Sequence, residues 1–528
     1  MPVPVPAPTP SDSVVNDPAC PLKYGPTDTP MLTGTDPLLA QQWHLNNDAS
    51  VSGTAGEDVR AFSAWPRTKG EGVRVAVVDD AIEVTHRDLL PNVVPNASYN
   101  YRQVYRGNAY PLPCHADDDH GTSVAGLIVA RDGNGVGVAG VAPRASLVGY
   151  NALATSADAD VMDALNRDLA NNQIYNNSWG SPDDGFLHPA EPSFVEAIER
   201  GINNGRSGKG AIYVFPAGNG GCYNPDLAAT PNYAEPCVRE NSNYDGYVNK
   251  LGVITVCATT SGGKQPWYGE NGANMLVCAP SSDIVTSSYV RTTAIGDGFR
   301  SNFTGTSAST PMVSGVVAMM LSANPDLTWR DVRLILAQTA RKNDPLNADW
   351  TSNFGLNFNH RYGFGVVDAA AAVEATAAWS SVGDSSTLQR CGPYLDSVNQ
   401  TLPDRPPGGI AQPVERTLTV PSSCGITRIE HVEVRITIAD HPSTGDLRIR
   451  LTSPQGLVSE LADEHVCYNA AEQTVSCGRY DDYPFGSVRH LGEPVVSGSN
   501  GDWKLTVTDM LAADEGKLAS WRLTFYGR

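Results

Sequence analysis

The sequence predicts two folded domains, an α/β domain with a mostly parallel sheet covered by helices on both faces and then an all-β sandwich. Between about residues 36 and 375, continuous apolar runs alternate with helical patterns, and strands this apolar are typical of a sheet buried on both sides. After a Pro- and Gly-rich stretch at 401–414, apolar residues recur at every second position without intervening helices, as in an antiparallel sandwich.

The parallel strands are predicted where β-branched and aromatic residues cluster between helical patterns. Five such runs are "VRVAVVD" (73–79), "ASLVGYNAL" (145–153), "QIYNNSWG" (173–180), "GAIYVFPAGN" (210–219) and "GVITVCAT" (252–259). We therefore expect a Pro-rich tail at 1–35, the α/β domain at 36–378 and the β domain at 379–528.

The strands of the second domain are predicted from alternation. Their inward positions are Val432, Val434, Ile436 and Ile438; Leu447, Ile449 and Leu451; Trp503, Leu505 and Val507; and Trp521, Leu523 and Phe525.

The overall composition limits the classes of partner that the protein is expected to bind. The chain has 528 residues, 41% of them hydrophobic, with 57 acidic against 37 basic side chains and a net charge of -20. This balance argues against nucleic acid or an anionic membrane and favours cationic ligands, metal ions or basic peptides. The sequence contains neither a stretch long enough for a transmembrane helix nor the basic and apolar blocks of a signal peptide. We therefore expect a chain without a transmembrane segment, from which any signal has been removed.

Ten cysteines form an even set, and none is part of a CxxC pair. This favours disulfides over zinc and places the protein in an oxidising compartment, secreted to the extracellular space or periplasmic. Buried free thiols in a cytosolic protein are the alternative.

Three short blocks hold residues suited to one reaction. Asp79 ends the first apolar strand, His120 precedes a small-residue helical run, and Ser307 opens an apolar helix. A serine hydroxyl needs a base to accept its proton and a carboxylate to orient that base, and histidine is suited to the transfer near neutral pH. Asn219, in the glycine-flanked segment after another strand, could donate to an oxyanion.

Each of these residues also has a structural explanation. Asp79 could cap a strand end, His120 could belong to a turn, Ser307 could be an N-cap, and Asn219 could adopt a left-handed turn. All four together favour catalysis, because the order Asp, His, Ser along the chain is that of subtilisin.

The sequence resembles the subtilisin-like serine proteases and, among them, the kexin/furin branch. The resemblance extends from "TDPLLAQQWHL" (35–45) nearly to the C-terminus, through "VVDDAIEVTHRDL", "HGTSVAG", "IYNNSWGSPDDG", "GNGG", "NYDGYVN", "PWYGE", "GTSAST" and "RYGFGVVDA". It implies a catalytic triad of Asp79, His120 and Ser307, with Asn219 as the oxyanion donor. Through "HVEVRITIADHPSTGDLRIRLTSPQG", the second domain resembles the jelly-roll-like P (Homo B) domain of these proteases.

The resemblance also gives roles to other acids. Asp80, helped by Asp117, would meet a basic residue at the second substrate position before the cut, with Asp80 turned outward from Asp79. Asp183 and Asp245 would form the pocket for the first position. Carboxylates in such pockets favour Arg or Lys, although solvated surface carboxylates are the alternative.

Farther from the cut, this chain departs from furin. Uncharged Asn166 and Pro189 stand near the family's acids for the fourth position, whereas Tyr247 is retained. We therefore expect cleavage after paired basic residues, with little demand for a basic fourth-position residue.

Two calcium (Ca²⁺) sites are implied by the resemblance. Calcium takes several oxygen ligands in loops, and the alternative is again solvated loop carboxylates. The first site would use Asp36, Asp88 and Asn134 with carbonyls of Arg131, Val136 and Val138. The second would use Asp183, Glu270 and either Glu240 or Asn241.

Disulfide pairing is assigned only in part. Cys391 and Cys424 match a family bridge in the P domain, while Cys467/Cys477 and Cys222/Cys237 are close enough in sequence to close small loops. Pairing of Cys20, Cys114, Cys257 and Cys278 stays open.

The function expected from the resemblance is a monomeric, secreted, calcium-dependent endopeptidase acting on protein or peptide substrates with basic residues. A subtilase of broader preference is one alternative, and a catalytically silent binding protein using the P domain is another. Subtilases usually need an N-terminal pro-segment, so we expect a pro-segment or a separate chaperone or inhibitor protein as a partner.

Overall fold

The computed structural model describes residues 20, 33–155, 157–221, 238–283, 289–471 and 473–528. Cys222 and Cys237, which were expected to pair, lie outside the described residues.

A six-stranded parallel sheet forms the centre of the first domain, in the order β2-β1-β3-β4-β5-β6. The strands are β1 (Arg74–Val78), β2 (Ser146–Tyr150), β3 (Ile174–Asn177), β4 (Ile212–Pro216), β5 (Val253–Thr259) and β6 (Val277–Pro280). The α/β prediction is confirmed, and the first five strands lie within the predicted runs. The edge strand β6 was missed because its run "VCAP" is too short to stand out.

Seven α-helices belong to the described part of this domain. They are α1 (Ala61–Ala64), α2 (His120–Val129), α3 (Asp158–Asn166), α4 (Pro192–Asn204), α5 (Thr306–Ala323), α6 (Trp329–Thr339) and α7 (Ala369–Thr376). Helix α5 is buried along most of its length, as expected of a helix that is apolar all round. Among the helices described, none is both long and apolar enough to cross a membrane.

Four short strands complete the first domain as two hairpins. They are β7 (Val290–Ala294), β8 (Gly298–Phe303), β9 (Thr351–Asn353) and β10 (Leu356–Phe358). The β7–β8 hairpin packs against α2, and its last residue, Phe303, has its ring centroid 5.3 Å from that of His120.

The second domain is a sandwich of two four-stranded antiparallel sheets, as predicted. Their orders are β11-β20-β13-β18 and β12-β19-β14-β15. The predicted inward positions all lie in the buried core between the sheets. The strands of the two sheets are β11 (Gln389–Leu402), β12 (Pro413–Thr419), β13 (Ile429–Ala439), β14 (Leu447–Thr452), β15 (Val458–Ala462), β18 (Tyr483–Ser487), β19 (Asp502–Asp509) and β20 (Gly516–Gly527). Two further strands, β16 (Cys467–Tyr468) and β17 (Thr474–Val475), pair with each other outside these sheets.

The two domains are joined by buried polar contacts. The side chain of Arg330 on α6 is fully buried and pairs with Glu430 on β13 at 2.6 Å. Strand β18 supplies the Tyr483 hydroxyl, which donates to the backbone oxygens of Asn243 at 2.8 Å and Tyr244 at 2.6 Å. Breaking such buried pairs is costly because the remaining group is left without a partner.

Four disulfides connect described cysteines: Cys20–Cys114, Cys257–Cys278, Cys391–Cys424 and Cys467–Cys477. Cys257 and Cys278 are direct neighbours on the parallel strands β5 and β6. The buried Cys20 ties a point of the Pro-rich tail to the loop before α2, a connection that the sequence pattern left open.

Candidate active site

The four residues implicated in catalysis all lie at strand or helix ends. Asp79 follows β1, Asn219 lies three residues after β4, His120 begins α2, and Ser307 is the second residue of α5. Because β1 and β4 are strands of one parallel sheet, their carboxyl ends meet the same edge, where sites of α/β proteins usually form.

Asp79 and His120 form a hydrogen-bonded pair. The imidazole Nδ1 lies 2.9 Å from Asp79 Oδ1, and the Asp79 side chain is 1% exposed. Burial by itself lowers the pKa of His120, but the charge and hydrogen bond of Asp79, together with the charges of Asp80 and Asp119, outweigh it and raise that pKa to about 9. The carboxylate holds the proton on Nδ1, which leaves Nε2 to act as a base.

Ser307 is placed at the start of α5 with its hydroxyl turned to the backbone. Its Oγ donates to the carbonyl oxygen of Ser178 at 3.1 Å. Within the described residues, no hydrogen bond joins Ser307 to His120, although catalytic hydrogen bonds are often loose without substrate. The complete triad therefore stays a prediction, with the Asp79–His120 half of it formed.

Asn219 is oriented by the residue next to Ser307. Its Oδ1 accepts from the backbone N–H of Thr306 at 2.8 Å and from the Thr306 hydroxyl at 3.1 Å. Gly305 adopts φ +79°, and a Cβ there would lie 3.2 Å from Asn219 Oδ1. With Oδ1 used in this way, the amide nitrogen is the end that can donate to an oxyanion.

Asp80 does not simply turn outward, as the sequence analysis expected. Its two carboxylate oxygens accept from the backbone N–H groups of His120 at 3.1 Å and Gly121 at 2.8 Å. The unpaired N–H groups at a helix start attract carboxylates, which explains this placement of Asp80. Burial, followed by the charge of Asp79, raises the pKa of Asp80 to about 7. Asp117, its expected helper, is exposed in the loop before α2.

A cavity lined by both Ser307 and Asp245 lies beside the catalytic residues, and we call it the primary pocket. The Asp245 carboxylate accepts from Ser181 N–H at 2.9 Å, from Ser181 Oγ at 3.1 Å and from Tyr247 N–H at 2.7 Å. Burial raises the pKa of Asp245. A Cβ on Gly180 would approach Asp245 Oδ2 to 2.5 Å, so the absence of a side chain at Gly180 leaves room for the Asp245 carboxylate. The lining residues are Ser178–Ser181, Asp183, Pro216–Asn219, Glu240, Asp245, Glu270 and Ser307.

Three carboxylates that line the primary pocket lie close together, and we call them the acidic cluster. Oxygens of Asp183, Glu240 and Glu270 lie within 4.8 Å of one another. Glu240 and Glu270 are each 3% exposed. Burial, followed by repulsion from Asp183 for Glu240 and from Glu240 for Glu270, raises the pKa of both well above the usual value. The expected second calcium site therefore gains Glu240 as its third acid, whereas Asn241 caps a local turn by accepting from Asn243 N–H.

Comparison with known proteins identifies the first domain. The model of the Subtilase family matches residues 70–365, and that of the Proprotein convertase P-domain matches residues 429–525. The chain belongs to the subtilase family.

Curated relatives cover nearly all of this subtilase. It is 33% identical over 93% of its length to human proprotein convertase subtilisin/kexin type 7 and 35% identical over 93% to the dibasic-processing endoprotease of Schizosaccharomyces pombe. It is 32% identical over 94% to kexin of Saccharomyces cerevisiae. The chain spans 60%, 65% and 57% of these three proteins.

A solved structure shares the two-domain architecture. The serine protease of Aeromonas sobria superimposes on this subtilase with a TM-score of 0.80 at 27% identity, covering 96% of this chain and 98% of that one. Its complex with the chaperone ORF2 superimposes with the same TM-score at 26% identity, covering 94% and 96%.

The other expected calcium site of the subtilase brings three predicted ligands together. Asn134 Nδ2 donates to Asp88 Oδ1 at 2.7 Å, and Asn134 N–H donates to Asp36 Oδ1 at 3.1 Å. Both carboxylates are buried, and burial raises the pKa of Asp88 to about 7. Among the described residues neither acid forms an ion pair, so a hard divalent cation suits this donor set. The carbonyls of Arg131, Val136 and Val138 belong to the adjoining loop.

Two supporting residues were missed by sequence reasoning. Thr306 orients Asn219, and Ser181 holds Asp245. Both stand in the motifs "GTSAST" and "SWGSPDDG", so the motif was visible, but which member contacts which distant side chain was not.

Proposed function

We propose that this subtilase is a calcium-dependent serine endopeptidase, active in an oxidising compartment, that cleaves after basic and preferably paired basic residues. The observation that carries the proposal is the partly buried Asp245 carboxylate in the wall of the cavity that Ser307 also lines. A partly desolvated acid in the wall of a cavity beside the nucleophile strongly favours an Arg or Lys side chain.

The chemistry follows from the residues around Ser307. His120 Nε2 accepts the hydroxyl proton as Ser307 Oγ attacks the substrate carbonyl, and Asp79 stabilises the resulting imidazolium. Asn219 donates to the oxyanion. His120 then gives the proton to the leaving amine, and a water molecule, activated by the same histidine, hydrolyses the acyl-enzyme.

Selection of the first substrate position is assigned to Asp245, with Asp183 at the pocket mouth. Asp80 is assigned to the second position, because its half-buried carboxylate still has acceptor capacity beyond the two helix N–H groups. The names kexin and dibasic-processing endoprotease among the relatives support this choice. Asn166 and Pro189 carry no charge, which supports a weak fourth-position preference. The ring of Tyr247 packs against those of Trp179 and the fully buried Phe194.

Calcium is assigned to the acidic cluster and to the Asp36–Asp88–Asn134 site. Calcium bound there would neutralise the buried carboxylates and fix the loops that carry them. Asp183 then serves both the cluster and the rim of the primary pocket, which links metal binding to substrate binding.

Two further expectations belong to the proposal. Four disulfides support an oxidising compartment, and the complex of the Aeromonas sobria protease with its chaperone supports a separate folding partner.

Cleavage-site profiling by mass spectrometry tests the proposal. The purified protein is incubated with a proteome-derived peptide library, with Ser307→Ala as the matched control. We expect cuts after Lys-Arg and Arg-Arg pairs that vanish in the control, because loss of the nucleophile lowers turnover by about 10⁶-fold. Equal cleavage after apolar residues would favour the broader subtilase. Failure of Ser307 to react with a fluorophosphonate would favour the binding protein.

A further inference from the structure

A small hairpin of the β domain lies against the loops that carry the acidic cluster. Strands β16 and β17 pair, and Cys467–Cys477 closes the hairpin. We call residues 463–468 and 474–477 the clasp. Tyr468 N–H donates to the carbonyl of Asp184 at 3.0 Å, and Val466 N–H donates to that of Val238 at 3.2 Å. The clasp therefore holds the backbone beside Asp183 and the backbone two residues before Glu240.

Gly185 joins the clasp to the acidic cluster. It adopts φ +85°, and a Cβ there would lie 2.2 Å from the Val466 carbonyl oxygen and 3.0 Å from Cys467 Sγ. On its other side, Gly185 N–H donates to Glu240 Oε2 at 3.3 Å. The sulfur of the disulfide thus packs directly on a residue that positions a carboxylate of the cluster.

The clasp also contacts the residue before Asp245. The Tyr244 hydroxyl lies 3.1 Å from the Asp463 carbonyl oxygen and 3.1 Å from His465 Nδ1, and it accepts from Asp463 N–H at 3.2 Å. The Tyr244 ring is fully buried between the domains. Since Tyr244 directly precedes Asp245 in the chain, the clasp also constrains the position of Asp245.

The far side of the clasp is fixed to the β domain. Thr444 Oγ1 donates to the Cys477 carbonyl at 3.2 Å, and a Cβ on Gly445 would lie 2.8 Å from Cys477 Sγ. Cys467 faces the catalytic loops while Cys477 faces the sandwich, so the disulfide is the covalent connection between these two contact surfaces.

We propose that the clasp is a positioning element for the primary pocket, and that the pocket reaches its substrate-binding geometry only after Cys467–Cys477 has formed. This inference rests on the proposed function. Bond formation oxidises two thiols to one disulfide and transfers two protons and two electrons to a thiol–disulfide oxidant of the compartment. The clasp makes binding of a basic first-position residue depend on oxidative folding of the other domain.

A paired-disulfide experiment tests the clasp. The double variant Cys467→Ser/Cys477→Ser is compared with Cys391→Ser/Cys424→Ser, which removes the disulfide between β11 and the loop before β13. With an Arg-containing peptide we expect KM to rise about 10-fold in the clasp variant, the size typical of lost supporting contacts, with kcat little changed. The control should lose thermal stability without a change in KM.

Fluorophosphonate labelling of Ser307 separates the two proposals. Equal labelling of the clasp variant and the wild type shows an intact nucleophile, so that a raised KM is assigned to the pocket; an unlabelled wild type contradicts the proposed function instead. Tyr244→Phe, which removes one hydroxyl, tests the same contact if the double variant does not fold, and should raise KM in the same direction by less. Unchanged KM in the clasp variant, or in Tyr244→Phe where that variant must replace it, overturns the clasp.

Discussion

Two groups of carboxylates in this subtilase, Asp79 and the acidic cluster, differ in what balances their charge. Asp79 faces one imidazole at 2.9 Å, whereas Asp183, Glu240 and Glu270 face one another. The charge of Asp79 is balanced by His120, and this pair can take part in proton transfer. The second group forms no ion pair among the described residues, which suits it to binding a cation rather than to acid–base chemistry.

The largest expected effect comes from breaking the internally balanced pair. Asp79→Asn should lower kcat by about 10⁴-fold, because the amide stabilises the wrong imidazole tautomer. His120 must be neutral to accept a proton, and the Asp79 charge raises its pKa. Removing that charge should therefore move the acid limb of the kcat/KM profile to lower pH. Steady-state kinetic assays from pH 5 to pH 10 measure both the loss of kcat and the shift of the acid limb.

Asp80→Asn is the matched control for that variant, one residue further along the chain. It should retain most of kcat on peptides with a single basic residue and lose preference for paired ones. An equal collapse of kcat in both variants would contradict the separation of roles.

Asn219→Ala should have the next largest effect, a loss of about 10²- to 10³-fold in kcat with little change in KM. The reason is that the amide binds only the oxyanion formed in the transition state. Thr306→Val, which keeps the backbone donor but removes the hydroxyl at 3.1 Å from Asn219 Oδ1, should cost far less. Initial rates over a substrate series measure both, and a pure KM effect would exclude the oxyanion role.

Asp245→Asn tests a third carboxylate, the one assigned to the first substrate position. It should lower kcat/KM for an Arg first-position peptide by about 100-fold, a loss of about 2.7 kcal/mol that is typical of removing one partner of a buried charge pair. A neutral first-position peptide should lose little or gain. Asp184→Asn is the control, since Asp184 bonds to His188 outside the pocket at 2.8 Å. Equal losses for both peptides would remove Asp245 from specificity.

Much of this arrangement could be predicted from local sequence patterns. Apolar runs located five of the six parallel strands, and alternation located the buried faces of β13, β14, β19 and β20. The order of Asp79, His120 and Ser307 along the chain predicted a shared site because it is the order found in subtilisin. These inferences depend on periodicity and chain order, which the sequence contains directly.

The remaining features depend on contacts between distant segments. Asp80 turned to the amino end of α2, because the helix offers two N–H donors that the sequence next to Asp80 does not reveal. Glu240 joined the acidic cluster through Gly185, which is 55 residues away. Such choices are set by which donor is nearest in space, so residue type alone could not decide between Glu240 and Asn241.

The smallest expected effect, on stability, gives the clearest distinction between the two groups. Removing calcium should lower the free energy of unfolding by about 2 kcal/mol if free calcium had been about 30 times its dissociation constant. Glu270→Gln should change the stability differently in the absence and in the presence of calcium. Burial and the charges of Glu240 and Asp183 raise the pKa of Glu270, so neutralising it relieves repulsion when no metal is bound and removes a ligand when calcium is present.

Thermal unfolding with chelator and with calcium measures this crossover. In chelator, Glu270→Gln should be at least as stable as the wild type, and in calcium it should be less stable. Sodium at equal ionic strength controls for screening. Asp79→Asn should keep the wild-type response to calcium, because its carboxylate already has His120 as a partner. A calcium response lost equally in both variants would mean that the two groups of carboxylates act as one coupled unit, and the division between proton chemistry and cation binding would fail.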